Sequence, residues 1–219
     1  MINILLIGPP GVGKGTQASF VVGKYNLNYI TTGNLLRREA SLQTDLGKKI
    51  SNVISKGELV SNDIVEVLLE NELTDVSKGI LFDGYPRNID QVFALNKILS
   101  KINKKLDIVV NMSLDDEVLI KRISGRYVCS QCGAVYNKYF VNPQTNGVCD
   151  HCNGNDFITR SDDSENVIKK RLTIFHNEND AIVNYYRSLG VLIDIDCKGS
   201  VNEISQEFSK VIDCLKEKV

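Results

Sequence analysis

Phosphate chemistry needs fixed positive charge next to flexible backbone, and one stretch of this chain supplies both. Lys14 lies in Gly8-Pro9-Pro10-Gly11-Val12-Gly13-Lys14-Gly15-Thr16, directly after the apolar run Ile4-Leu5-Leu6-Ile7. A strand, a glycine loop and a helix in that order make a phosphate cradle. The glycines let successive N–H groups turn inward, and the helix adds its positive dipole end. Gly8, Gly13 and Lys14 have P-loop spacing, which points Lys14 at β- and γ-phosphates as a point charge. The alternative, a tight β-to-α turn, leaves the lysine unexplained. In the strict pattern a Ser or Thr after the lysine holds Mg²⁺, but here Gly15 precedes Thr16. The metal is therefore expected to be held mainly by nucleotide and water.

A second group of residues follows the run Ile80-Leu81-Phe82-Asp83, which continues as Gly84-Tyr85-Pro86-Arg87. In doubly wound sheets ligands bind outside the carboxyl ends of the strands, so Asp83 is placed to meet Mg²⁺ or its water shell. A solvated turn aspartate is the competing reading, and the apolar run before it argues against that. Arg87 can clamp a phosphate through its planar fork. The chain has eight arginines against eighteen lysines. Six of them, Arg37, Arg87, Arg122, Arg126, Arg160 and Arg171, fall near expected loop or helix ends that could converge on one cleft. Surface ion pairing is the alternative for any single one.

Cys129-Ser130-Gln131-Cys132 and Cys149-Asp150-His151-Cys152 are two Cys-x-x-Cys knuckles separated by sixteen residues. This spacing suits a closed tetrahedral site of four thiolates around structural Zn²⁺, with no open position for catalysis. Disulfides or free thiols are the alternatives, but a stretch so poor in aliphatic residues has little else to fold around. Four sulfurs complete the shell, so His151 is expected to be a solvated bystander. His176 reads as a surface or half-buried helix residue, and Cys197 and Cys214 as small apolar fillers.

These residues need a scaffold, and short apolar runs alternating with helical stretches supply one: a parallel sheet covered on both faces. The expected strands are Asn3–Ile7, Asn28–Thr31, Ile80–Asp83, Ile108–Met112 and Val191–Ile195. In the last helix Ser200 and Glu203 have capping-box spacing, and Ile204, Phe208, Val211, Ile212 and Leu215 form one apolar stripe. A shift toward cysteine, glycine, asparagine and aromatics from Gly125 to Asp163 marks an insert. The 219 residues suffice for one good core, and the net charge of −1 with scattered cations disfavours nucleic acid and membrane as partners. With no basic leader and no apolar run of spanning length, the reading is a cytoplasmic protein in a reducing compartment.

Thr32-Gly33-Asn34-Leu35-Leu36-Arg37, Asp83-Gly84-Tyr85-Pro86-Arg87 and the Gly8 to Thr16 loop together resemble the adenylate kinases. The resemblance extends through Gly125-Arg126 and Arg160-Ser161-Asp162-Asp163 to nearly the whole chain. It implies a three-layer α/β P-loop kinase fold with a five-stranded parallel sheet. The implied core comprises residues 1–30, 61–124 and 164–219, with a helical AMP-binding segment at 31–60 and a four-cysteine lid at 125–163. The implied reaction is Mg²⁺-dependent, reversible transfer of the terminal phosphoryl of ATP to AMP, giving two ADP. By the same resemblance, Gly11, Val12, Gly13, Lys14, Gly15, Thr16, Arg122, Arg126, Val135, Tyr136 and Gly199 would bind ATP. Thr32, Gly33, Arg37, Glu58, Leu59, Val60, Gly84, Tyr85, Pro86, Arg87, Gln91, Arg160 and Arg171 would bind AMP. Arg160 and Arg171 would grip the transferring group, in a catalytic set with Lys14, Arg87 and Arg126.

Two residues depart from the family pattern: Asn34 stands where an aspartate is usual, and Tyr127 where some relatives have a second arginine. The first leaves Asp83 as the metal anchor. Two rival functions have definite sequence tests. A kinase for another nucleoside monophosphate would differ where Thr32, Gln91 and the Gly84 backbone read the base. A zinc-ribbon NTPase that binds nucleic acid would need a basic stripe, yet Val128–Phe157 holds Lys138 as its only lysine or arginine. A monomer is expected.

Overall fold

A computed structural model describes residues 1–74 and 76–216. Asp75 and the last three residues of the expected core lie outside that description. Five strands form the parallel sheet: β1 (Ile4–Ile7), β2 (Asn28–Thr31), β3 (Ile80–Asp83), β4 (Ile108–Ser113) and, last in the chain, β8 (Leu192–Asp196). Their order is β2-β3-β1-β4-β8. The expected starts at Asn3 and Val191 are each one residue early. Asn3 instead works as a clip: its N–H donates to Asp107 Oδ2 at 2.7 Å, and its Oδ1 accepts from Ile80 N at 3.2 Å.

The alternation of β1 assigns the two faces. Ile4 and Leu6 join a cluster with Ala18 and Val21 of α1 (Lys14–Tyr25), Leu119 and Ile123 of α6 (Asp116–Ser124), and Ile204, Phe208 and Ile212 of α8 (Val201–Lys216). Leu5 and Ile7 face the other cluster, which takes Leu35 and Leu36 of α2 (Thr32–Ser41), Ile50 of α3 (Asp45–Ser55) and Val65 and Leu69 of α4 (Asn62–Glu72). It also takes Val92 and Leu95 of α5 (Ile89–Lys101) and Ile182 and Tyr186 of α7 (Glu165–Ser188). The sheet is thus the middle of three layers, as expected. No helix among the described residues is long and apolar enough to cross a membrane.

Between α6 and α7 the chain leaves this core. β5 (Arg126–Cys129), β6 (Val135–Asn137) and β7 (Phe157–Ile158) form a separate antiparallel sheet in the order β6-β5-β7, followed by a 3₁₀ turn at Ser161–Asp163. Val128, Cys129, Tyr136 and Cys149 are buried in this part of the chain. At the chain's end the capping box is formed: Ser200 N donates to Glu203 Oε2 at 2.7 Å, and Glu203 N to Ser200 Oγ at 3.3 Å. Cys197 is buried, but Cys214 is exposed, which corrects its reading as a core filler. Helical phase decides the matter: Cys214 falls outside the stripe through Ile204, Phe208 and Ile212 that meets the sheet.

Candidate functional site

The carboxyl ends of β1, β2 and β3 are level: Leu6 and Thr31 both pair with Asp83 in register. Just beyond them the loop turns. Gly11 has φ +83°, and a Cβ there would lie 2.6 Å from Ile123 Cγ1, so only glycine fits. α1 begins at Lys14 with Gly13 as its N-cap, without a side-chain cap and without an acid in its first turn. Its first N–H groups are therefore left for an anion.

Lys14 Nζ folds back over the loop, donating to the carbonyls of Gly8 (2.6 Å) and Pro9 (2.9 Å). Burial brings its pKa down to about 8; Asp83 opposes that shift, while Arg87, Arg171 and Arg126 add to it. Asp83 is 9% exposed and accepts from the Tyr29 hydroxyl at 2.9 Å. Burial and the adjacent Asp83 together hold the Tyr29 phenol far above its ordinary range.

A cavity of about 840 Å³ opens above these residues, and all six singled-out arginines line it. Arg87 and Arg160 are both brought down to about 10, chiefly by burial and then by neighbouring guanidinium groups. Arg37 and Arg171 are lowered by burial too, against the opposing pull of Asp162. Two acids at the border of the small sheet partner these cations. Asp163, with its side chain 6% exposed, takes Nε and Nη2 of Arg126 in a bidentate pair. Asp162 accepts from Arg171 at 2.7 Å. Arg122 donates to the Val12 carbonyl at 3.2 Å, tying α6 to the loop.

Gly11, Val12, Gly13, Gly15, Thr16, Val135, Tyr136, Gly199 and Pro86 line the same cavity. A smaller adjoining hollow of about 60 Å³ is lined by Thr32, Gly33, Arg37, Glu58, Leu59, Val60, Gly84, Tyr85, Arg87, Gln91 and Arg171. Tyr85 contributes little polarity, since its hydroxyl is buried without a hydrogen-bond partner. Glu58 reaches Lys170 on α7 at 2.8 Å, both half-exposed.

The four knuckle cysteines also converge, with all four sulfurs within 4.8 Å of one another. The Cys129–Cys152 and Cys132–Cys149 sulfurs are each 3.5 Å apart. A tetrahedral ion with bonds of about 2.3 Å needs sulfur separations of about 3.8 Å, so the cluster has the right size. Each knuckle is closed alike: Gly133 N donates to Cys129 O, and Asn153 N to Cys149 O, both at 2.9 Å. Burial opposes ionisation of Cys149. Hydrogen bonds from the Tyr136 hydroxyl, the His151 and Cys152 backbone and the Cys132 thiol outweigh it, bringing this thiol to about 6. His151 is exposed outside the cluster, and His176 pairs at the surface with Asp116 at 3.0 Å.

Sequence reasoning missed four participants: Tyr29, the paired acids Asp162 and Asp163, and Phe140, whose ring centroid lies 5.9 Å from the Arg122 guanidinium carbon. The alternation of β2 puts Tyr29 on the same face as Thr31 and could have found it. The other contacts depend on tertiary folding.

A family model described as adenylate kinase matches residues 6–191. The chain is 39% identical over 218 residues to the adenylate kinase of Latilactobacillus sakei, covering 99% of this chain and 100% of that protein. It is 41% identical over 213 residues to the adenylate kinase of Methanosarcina barkeri, covering 96% and 98%. The adenylate kinase of Lactococcus lactis strain IL1403 is 38% identical over 214 residues, covering 96% and 100%. With this likeness over nearly the full length, and with loop, arginines and cysteine cluster on one frame, the chain belongs to the adenylate kinase family.

Proposed function

We propose that this protein transfers the terminal phosphoryl group of MgATP reversibly to AMP, giving two ADP and balancing the adenine nucleotide pool. The observation that carries this reading is the convergence of Lys14 and six arginines on one cavity with an adjoining hollow. No nucleophile or dedicated base is required, because AMP brings the attacking oxygen. The loose transition state spreads charge over the transferring group, so catalysis is positioning plus fixed positive charge.

In this scheme the loop from Gly11 to Thr16 and Lys14 hold the ATP phosphates, with Arg122, Val135, Tyr136 and Gly199 around the adenosine. Thr32, Gly33, Arg37, the backbone from Glu58 to Val60 and from Gly84 to Pro86, and Gln91 hold AMP. Arg87, Arg126, Arg160 and Arg171 surround the group in flight. The lid, taken as 125–163, closes to exclude water that would otherwise accept the phosphoryl. Mg²⁺ would neutralise phosphate charge, with Asp83 holding its water shell, and Tyr29 keeps that carboxylate in place. Zn²⁺ would fold the lid through Cys129, Cys132, Cys149 and Cys152, whose four sulfurs already converge. We assign the protein to a reducing cytoplasm, and to a monomer because one chain supplies every residue of the site.

The test offers MgATP with AMP, CMP, UMP and GMP separately and measures ADP, with Lys14→Ala as the blank. Strong preference for AMP is expected. Preference for another monophosphate would replace the substrate and leave the phosphate machinery standing; no transfer to any from a folded protein would refute the kinase reading.

A further inference from the structure

Gln91 is 2% exposed and faces the smaller hollow, and its amide is held on both sides. The backbone N–H of Arg87 donates to Gln91 Oε1 at 2.7 Å. Gln91 Nε2 donates to Asn62 Oδ1 at 2.8 Å. Asn62 is the first residue of α4, meets the nitrogen end of the amide where Arg87 meets the oxygen end, and does not line the hollow. The N–H of Gln91 is itself fixed by Asn88 Oδ1 at 2.9 Å, at the start of α5. An amide turned by 180° would set Nε2 against the Arg87 N–H and Oε1 against the Asn62 oxygen. The Arg87 donor is backbone and cannot turn, so that clash fixes which way the Gln91 amide lies, and Asn62, with its oxygen toward Nε2, holds that end of the amide in place. Nε2 has two hydrogens. Asn62 uses one, and among the described residues the second has no partner.

From this we infer that Asn62 is a positioning residue for base selection, locking Gln91 so that its free N–H is presented to the ring of the bound nucleotide. This rests on the smaller hollow being the monophosphate site. A fixed donor pairs with a ring nitrogen that accepts, as N1 of adenine does. It opposes N1–H of guanine and hypoxanthine, because two donors then meet where Gln91 is buried. Burial of an unpaired donor is what discriminates, so the lock matters more than one added hydrogen bond. Asn62 acts only through Gln91 and touches no reacting atom.

The test compares AMP, purine riboside 5′-monophosphate and inosine 5′-monophosphate as acceptors for MgATP. Purine riboside isolates the ring contact, since it keeps the N1 acceptor without the 6-amino group. In Asn62→Ala the advantage of purine riboside monophosphate over inosine monophosphate, as a ratio of kcat/KM, should shrink about tenfold. The KM for AMP should rise while the KM for MgATP stays within twofold. Asn62→Asp keeps an acceptor at the same place and should retain the wild-type ratio. Direct binding of the monophosphates to each folded variant gives the same comparison without turnover. An unchanged ratio in Asn62→Ala, or equal losses for both acceptors, overturns the inference while leaving the kinase reading intact. Loss of the ratio in Asn62→Asp as well would make the effect structural and also overturn it. If the wild type binds and phosphorylates no purine monophosphate, both readings fall together.

Discussion

Replacing Lys14 by methionine keeps the length of the side chain and removes its charge, and the structure assigns opposite signs to the effects on rate and stability. An ammonium about 4 Å from a phosphate oxygen contributes about 4 kcal/mol at an effective dielectric of about 20. At about 1.4 kcal/mol per factor of ten, kcat/KM for MgATP should fall about 10³-fold in Lys14→Met. Without nucleotide the same charge is a burden. Its pKa sits at about 8 in the folded chain against 10.5 for a free lysine. That displacement corresponds to roughly 3 kcal/mol, which we discount to about 2 because the side chain is only partly buried. Lys14→Met should therefore melt no lower than wild type, and up to about 6 °C higher for a chain of this size.

The pH dependence separates this account from a packing effect. Between about pH 8 and 10.5 the unfolded chain still holds the lysine proton that the folded chain has released. Wild-type stability should therefore gain on the variant as pH rises through that window, and the difference should vanish near its top. Rates come from coupled ADP release and stabilities from urea titration at pH 7 and pH 9. A variant that loses activity and several kcal/mol of stability together would make Lys14 a scaffold residue and refute the reasoning.

In the wild type, kcat/KM for MgATP should decline above about pH 8 as free Lys14 deprotonates, whereas kcat should hold to higher pH because bound phosphate favours the charged lysine. Coincident limbs in the two profiles would count against it. Metal analysis should find one zinc per chain; chelation should strip amide-exchange protection from β5, β6 and β7 while β1, β3 and β4 keep theirs. Asp163→Asn should destabilise the ligand-free protein by about 2 kcal/mol, less than for a fully buried pair because Arg126 is 18% exposed. Urea midpoints measure this loss, and an ATP analogue should recover most of it.

The sequence made the sheet legible because its strands are buried on both faces: Ile4 to Ile7, Ile80 to Phe82 and Ile108 to Val110 leave no polar alternation to mislead. The P-loop and the cysteine knuckles were legible for another reason, since their chemistry lies within a few consecutive residues. Cys214 was misread because residue type was weighed ahead of helical phase. Asp162 and Asp163 stood in plain view, but an acid bonded to Arg126, 37 positions away, carries no local pattern. Asn62 is harder still: its value lies in which atom of Gln91 it fixes, a matter of orientation that no spacing records.

The acids beside the arginines explain how so many buried cations can share one site. Burial alone disfavours the charge on Arg87, Arg160 and Arg171, and each guanidinium makes the next more costly. Asp83 sits under Lys14 and Arg87, while Asp162 and Asp163 sit among Arg37, Arg126, Arg160 and Arg171. Three carboxylates do not balance seven cations, so the cavity keeps a positive excess, which a polyanionic ligand would neutralise in one step. Arg126, Arg160, Asp162 and Asp163 all belong to the small sheet or its border, and Lys14, Arg87 and Asp83 belong to the core. In the proposed lid closure, moving one toward the other would bring like charges together, a motion opposed without nucleotide and favoured with it. In the kinase proposed above, coupling of lid closure to substrate would follow from where the charges are anchored, with no separate sensor.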